Sequence, residues 1–138
     1  MQVATSSAAP DQRDPANVYN ARYVSLRSYR RDGTPVDTPV WQVVIDGKLL
    51  VFTDGTSYKV KRVGRDPTVQ VARCDVRGRL LGPWVAGTCR LVEPGEEIEQ
   101  RTYSALIDKY GWQMRLLNLS SRLAGRYGRR RVLEISLH

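Results

Sequence analysis

The chain has 138 residues, with 22 Lys and Arg against 14 Asp and Glu, a formal net charge of +8 and a single histidine. That length suits one domain with a core of its own, and no apolar run is long enough to span a bilayer. The lone His138 sits at the end of the chain, and neither Cys74 nor Cys89 has a second cysteine at ligand spacing. His-dependent triads, a metal centre and a disulfide framework are therefore not expected.

Residues 1–20 begin MQVATSSAAPDQRDPAN, small and polar without the apolar centre of a secretory signal. They are expected to form a flexible leader to a single domain over 21–138, and the protein is expected to be cytoplasmic with reduced thiols. Residues 22–30, RYVSLRSYR, alternate apolar and polar side chains as a half-buried strand does. The RRDG that follows is a turn. Residues 36–45 read as one second strand, with Trp41, Val43 and Ile45 on one face and Val40, Gln42 and Val44 on the other. Pro39 interrupts it, so it is expected to begin at an edge or a bulge. Asp46-Gly47 is a hairpin signal and leads into LLVFT, the third strand.

Residues 51–69, VFTDGTSYKVKRVGRDPTV, end a strand in a threonine and a Ser-x-Lys turn, followed by a short basic segment stopped at Asp66-Pro67. The hydroxyls of Thr53 and Ser57, the turn N–H groups and the Lys59 ammonium can converge on one anion. If Ser57 caps a short helix, that helix's first N–H groups point at the same place. An ordinary strand, capped helix and solvated lysines would read the same way, because Ser-x-Lys alone is a weak motif.

TVQVARCDV resumes the alternation as a fourth strand holding Cys74, and WVAGTCRLV is a fifth holding Cys89, both thiols expected to be buried. Gly87 in the fifth strand suggests a bulge or a close backbone approach. From Glu96 the period changes: Tyr103, Leu106, Ile107 and Tyr110 form one helical stripe, Gly111 ends it, and Trp112, Leu116, Leu119 and Leu123 form a second running to Gly125. RRRVLEISL is the sixth strand, with Leu133, Ile135 and Leu137 inward. A last strand reached after two helices must close beside a non-sequential neighbour, which favours a barrel.

The charge excess lies in Lys59, Lys61, Arg62 and Arg65 and in the C-terminal third, including Arg129 to Arg131. Nucleic acid is the first candidate for such a balance. Neither block shows interleaved aromatics or a recognition-helix signature, so nucleic acid is an unlikely partner, and a phosphorylated small cofactor accounts for the same charge.

In order along the chain, YVSLRSYRRDGTPVDTPVW, DGKLLVFTDGTSYKVKRVGRDPTVQVARCDVRGRLLGPWVAGTCRLV and KYGWQMRLLNL resemble the pyridoxamine-phosphate-oxidase-like flavoprotein superfamily over residues 21 to 137. Within it the chain is similar to small actinobacterial deazaflavin (coenzyme F-420)-dependent oxidoreductases of the PPOX class. The resemblance implies a mainly β, six-stranded split barrel with a short helix after strand three and two C-terminal helices. It also implies a homodimer with the cofactor at the subunit interface and a small electron-poor substrate. It places the cofactor phosphate on Ser57 and Lys59, with Thr53 just before them and Arg62 one helical turn on. The ring system would run beside Pro39, Val40 and Trp41, with Trp84 near the partner's contribution. No catalytic residue is nominated. Asp37-Thr38-Pro39 stands where pyridoxamine-phosphate oxidases carry a phosphate-binding arginine, which weakens an FMN site. FMN remains the alternative to the deazaflavin, followed by a non-enzymatic cofactor-binding, storage or basic nucleic-acid-binding module.

Overall fold

The computed structural model describes residues 15–55, 57–123 and 130–138. Most of the expected leader, the stop at Gly125, and Arg126 and Arg129 lie outside the described residues. After a 3-10 turn at Pro15–Asn17 come β1 (Tyr23–Tyr29), β2 (Pro35–Val40), β3 (Val43–Ile45), β4 (Lys48–Asp54), α1 (Tyr58–Arg65), β5 (Thr68–Cys74), β6 (Val85–Leu91), α2 (Glu97–Tyr110), α3 (Trp112–Leu123) and β7 (Arg130–Leu137).

All strand pairs are antiparallel, in one sheet of order β2-β1-β5-β6-β7-β4-β3. The two edge strands, β2 and β3, are consecutive in the chain and joined only by Trp41 and Gln42. Three Cα steps cover at most about 11 Å, so the two edges of the sheet must approach each other, and the sheet curls into a barrel split at that seam.

The expected six strands are therefore seven, because residues 36–45 are not one strand. The break lies at Gln42, which has left the ladder: its N–H donates to the Tyr110 hydroxyl (3.1 Å) and its carbonyl accepts from Lys109 Nζ (2.8 Å). Its amide nitrogen faces the carbonyls of Val18, Tyr19 and Ala21 at 3.2, 3.2 and 2.7 Å. Gln42 is fully buried, so this bonding replaces water for groups that would otherwise be costly to bury. The strand is split by tertiary contacts and not by a local turn.

Period-two alternation divides the core in two. Val24, Leu26, Leu49, Val51, Val69, Val71, Leu133 and Ile135 fill the barrel, where Val18 from the segment preceding β1 and Val63 from α1 join them. Leu50 and Val132 point to the opposite face and meet Leu106, Tyr110 and Met114 of the two long helices. Cys74 and Cys89 are buried free thiols, and burial pushes the Cys89 thiol up to about 12. At Gly87 the backbone passes so close to β7 that an added Cβ would lie 2.9 Å from the Ser136 carbonyl, so this position admits only glycine without a shift. Asp46 and Gly47, at φ 54 and 77, form the two-residue hairpin between β3 and β4. Gly111 separates α2 from α3, and its N–H closes α2 on the Ile107 carbonyl at 2.8 Å.

Candidate functional site

The seam opens into a cleft of about 270 Å³. Pro39, Val40 and Trp41 form one wall and Thr53 and Lys59 another, so five of the eight expected cofactor residues line a single cavity. Strand β2 ends at Val40 and thereby places its last residues at the seam, whereas Thr53 is the last but one residue of β4 and Lys59 the second of α1. Tyr23, Thr38, Phe52, Val76 and Leu117 complete the described lining, and none of them was expected there from the sequence.

Ser57 has extended backbone (φ −68°, ψ 156°) and caps α1, its hydroxyl accepting from the Val60 N–H at 3.5 Å. The same hydroxyl lies 3.4 Å from that of Thr53. Two residues on, Lys59 is half-buried; burial and the Arg62 charge lower its pKa, and Asp54 partly offsets them. Among the described residues the Lys59 ammonium has no hydrogen bond or ion pair, which leaves a partly desolvated lysine on the lining of the cleft that Thr53 shares, with Ser57 beside Thr53 and outside the lining.

Trp41 is fixed from behind. Its ring stacks on Tyr110 with centroids 4.4 Å apart and planes 9° from parallel. The Tyr110 hydroxyl accepts from Gln42 N–H and donates to the Arg22 carbonyl at 2.8 Å, and burial pushes its pKa up to about 12. Lys109 donates to Gln42 O at 2.8 Å and to Ala21 O at 3.0 Å. Burial and the Arg22 charge lower its pKa to about 8, against the pull of these two carbonyls. Lys109 and Tyr110 are thus the residues that hold the cleft wall. The helical stripe in the sequence marked Tyr110 as a packing residue, but nothing marked Lys109 or Gln42.

The remaining expected residues lie elsewhere. Arg62 donates from Nε to Ser28 Oγ at 2.7 Å and lines a separate basic groove. Trp84 lies under the Arg27 guanidinium at 4.0 Å, outside the cleft lining. Arg27 also grips Asp37 in a bidentate pair at 2.7 and 2.9 Å. From the basic run before β7, Arg130 donates to Asn118 Oδ1 at 2.8 Å and Arg131 to Val92 O at 2.9 Å. Arg131 stands opposite Thr53 in the β4–β7 ladder, and its buried Nε has no partner among the described residues. Trp112, Leu116, Leu119 and Leu123 lie on the open face of α3, each more than half exposed. Among the described residues no helix is long and apolar enough to cross a membrane.

No protein-family model matches the chain, and no curated protein matches it. Solved structures do. A conserved hypothetical protein, Rv2991 from Mycobacterium tuberculosis, aligns at 22% identity with a TM-score of 0.67, over 98% of this chain and 82% of that one. HutZ, a heme storage protein from Vibrio cholerae, aligns at 10% identity and TM-score 0.66, over 85% of this chain and 82% of that one. An F420 reductase aligns at 16% identity and TM-score 0.59, over 88% of this chain and 91% of that one. These neighbours carry different functions on one architecture, and at such identities the likeness is one of fold.

Proposed function

We propose that the protein is an oxidoreductase that holds a phosphate-bearing flavin-type cofactor, the deazaflavin coenzyme F-420 in preference to FMN, in the cleft at the barrel seam. The observation that carries this reading is the half-buried ammonium of Lys59, without a hydrogen bond or ion pair among the described residues, on the same cavity as Thr53 and the Pro39–Trp41 wall. A half-desolvated cation whose burial Asp54 only partly offsets is costly to keep, and a phosphate seated on it would reduce that cost while accepting from the Thr53 and Ser57 hydroxyls.

The Pro39–Trp41 edge offers a flat wall for a ring system, held rigid by the Tyr110 stack. When bound, the deazaflavin would supply hydride transfer; the chain's own part is to position the ring and keep water away from it. The choice of deazaflavin over FMN rests on β2. Asp37 stands there, already paired with Arg27, where the resemblance leads one to look for a flavin-phosphate arginine.

A homodimer fits the same reading. Val76 and Leu117 line the cleft, and exposed apolar residues stand near them in the chain, Leu80 and Leu81 after the first and Leu116 and Leu119 either side of the second. A second copy covering that surface would close the cleft from above. Sedimentation of the wild type against Leu119→Asp tests this, with a shift from dimer to monomer expected.

Difference spectroscopy with the deazaflavin coenzyme and with FMN tests the cofactor. Saturable binding of the deazaflavin at tens of micromolar or below, tighter than FMN, is expected. Tighter FMN binding would assign the same cleft to a flavoprotein, and no spectral change with either would remove the reading. Binding without turnover on a panel of quinones and enones would point to storage.

A further inference from the structure

A second groove, of about 770 Å³, lies between the end of β1 and α1, and shares no lining residue with the cofactor cleft. Arg30, Arg31, Lys61, Arg62 and Arg65 line it together with Tyr58, and no carboxylate is among the described lining residues. Its volume falls in the range of small-molecule sites, and it is open to solvent. Two of the guanidiniums are held in place: Arg62 by Ser28 Oγ at 2.7 Å and Arg65 by the Tyr29 carbonyl at 3.0 Å. Asp32, the nearest acid in sequence to the two turn arginines, accepts from the Thr34 N–H at 2.9 Å within its own turn and also feels the Arg30 charge, so it offsets part of the positive charge at that end. The cations repel one another, and burial together with Arg30 and Arg65 lowers the pKa of Arg62. At the mouth of the groove the Tyr58 ring is 73% exposed, with Lys61 Nζ 5.2 Å from its centroid. An aromatic ring left in solvent beside five clustered cations makes a stacking platform next to an anion seat.

We propose that this groove binds a nucleoside polyphosphate, the phosphates held by the arginines and the base stacked on Tyr58. Guanidinium forks suit phosphate oxygens, and the ring gives a nucleotide an advantage over a bare polyanion. The ligand argued for is the free nucleotide; single-stranded RNA shares only the pairing of base and phosphate, as successive phosphodiesters, and is an outcome of the test. The site does not depend on the cofactor reading, because the residues are distinct.

Calorimetric titration of the full chain at physiological salt with ATP, inorganic triphosphate, a short uridine oligonucleotide and a short oligoglutamate peptide tests it. ATP is expected to bind about 10-fold tighter than triphosphate, and Tyr58→Leu to erase that difference while Tyr58→Phe retains it. The double variant Arg30→Glu/Arg31→Glu is expected to weaken ATP binding by more than about 30-fold. Deazaflavin binding is expected to stay unchanged in all three variants, which separates failure of this site from failure of the cofactor cleft. An oligonucleotide that binds more tightly than ATP, and responds to the same variants, supports the site with RNA as the source of the nucleotide. The proposal is overturned if ATP shows no heat at about 1 mM. It is equally overturned if triphosphate matches ATP in the wild type, or if the oligoglutamate peptide binds as tightly as ATP.

Discussion

Two half-buried lysines, Lys59 at the start of α1 and Lys109 at the end of α2, face similar desolvation but differ in what surrounds their nitrogens. Burial lowers the pKa of both, and each feels an arginine nearby, Arg62 in one case and Arg22 in the other. Lys109 spends its protons on the carbonyls of Ala21 and Gln42 and so fastens the segment before β1 and the seam to α2. Lys59 has no such acceptor among the described residues, and it opens onto a cleft. Burial alone therefore does not mark a functional cation; burial without satisfaction does.

Substitution should separate the two. Lys109→Met removes two hydrogen bonds from a charged donor and is expected to cost about 2 kcal/mol of stability, read from denaturant unfolding. Lys59→Met relieves an unpaired charge, and its stability is expected within about 0.5 kcal/mol of the wild type. Equal losses would erase the distinction.

The same contrast predicts a pH dependence. The folded-state pKa of Lys109, about 8, lies below the 10.5 of an ordinary lysine, so between those values the unfolded chain binds the proton that the folded one has released. Stability from this group therefore rises as pH increases through that window and is lost as pH falls. The stability difference between wild type and Lys109→Met should grow in the wild type's favour from pH 8 to 10, below the range in which Tyr110 titrates. A flat difference would mean that the two carbonyls hold the Lys109 pKa near its ordinary value.

The smallest expected effect is at Arg62. Its guanidinium is committed to Ser28 and to the other groove, so Arg62→Gln should change cofactor affinity by less than about 3-fold in spectroscopic titration. A larger loss would return Arg62 to the cofactor site.

Much of this arrangement was legible in the sequence, for local reasons. Alternation in RYVSLRSYR and TVQVARCDV, the Asp46-Gly47 turn, and the change of period after Glu96 each write a preference into neighbouring residues. The Ser57 cap and the helix behind it follow from the same kind of signal. The seam was not legible. PVDTPVWQVVI alternates without a turn residue at Trp41 or Gln42, and what breaks it is Lys109, Tyr110 and the carbonyls of residues 18–21, distant in sequence. The apolar stripe of α3 was readable, but its exposure was not, because periodicity identifies an apolar face without saying what covers it. Arg62 turns its guanidinium to Ser28 and Trp84 lies under Arg27, contacts made across the fold that no local signal in the sequence announces.

The claim that Lys59 is unsatisfied because it awaits an anion is tested most directly by titrating wild type and Lys59→Ala with the deazaflavin coenzyme under identical conditions, with the unfolding midpoint of each measured alongside. The expected result is a loss of about 1.5 to 3 kcal/mol in cofactor binding, the range for a hydrogen bond to a charged group, with the unfolding midpoint unchanged. Equal affinity for the two proteins would contradict the account and return Lys59 to the solvent.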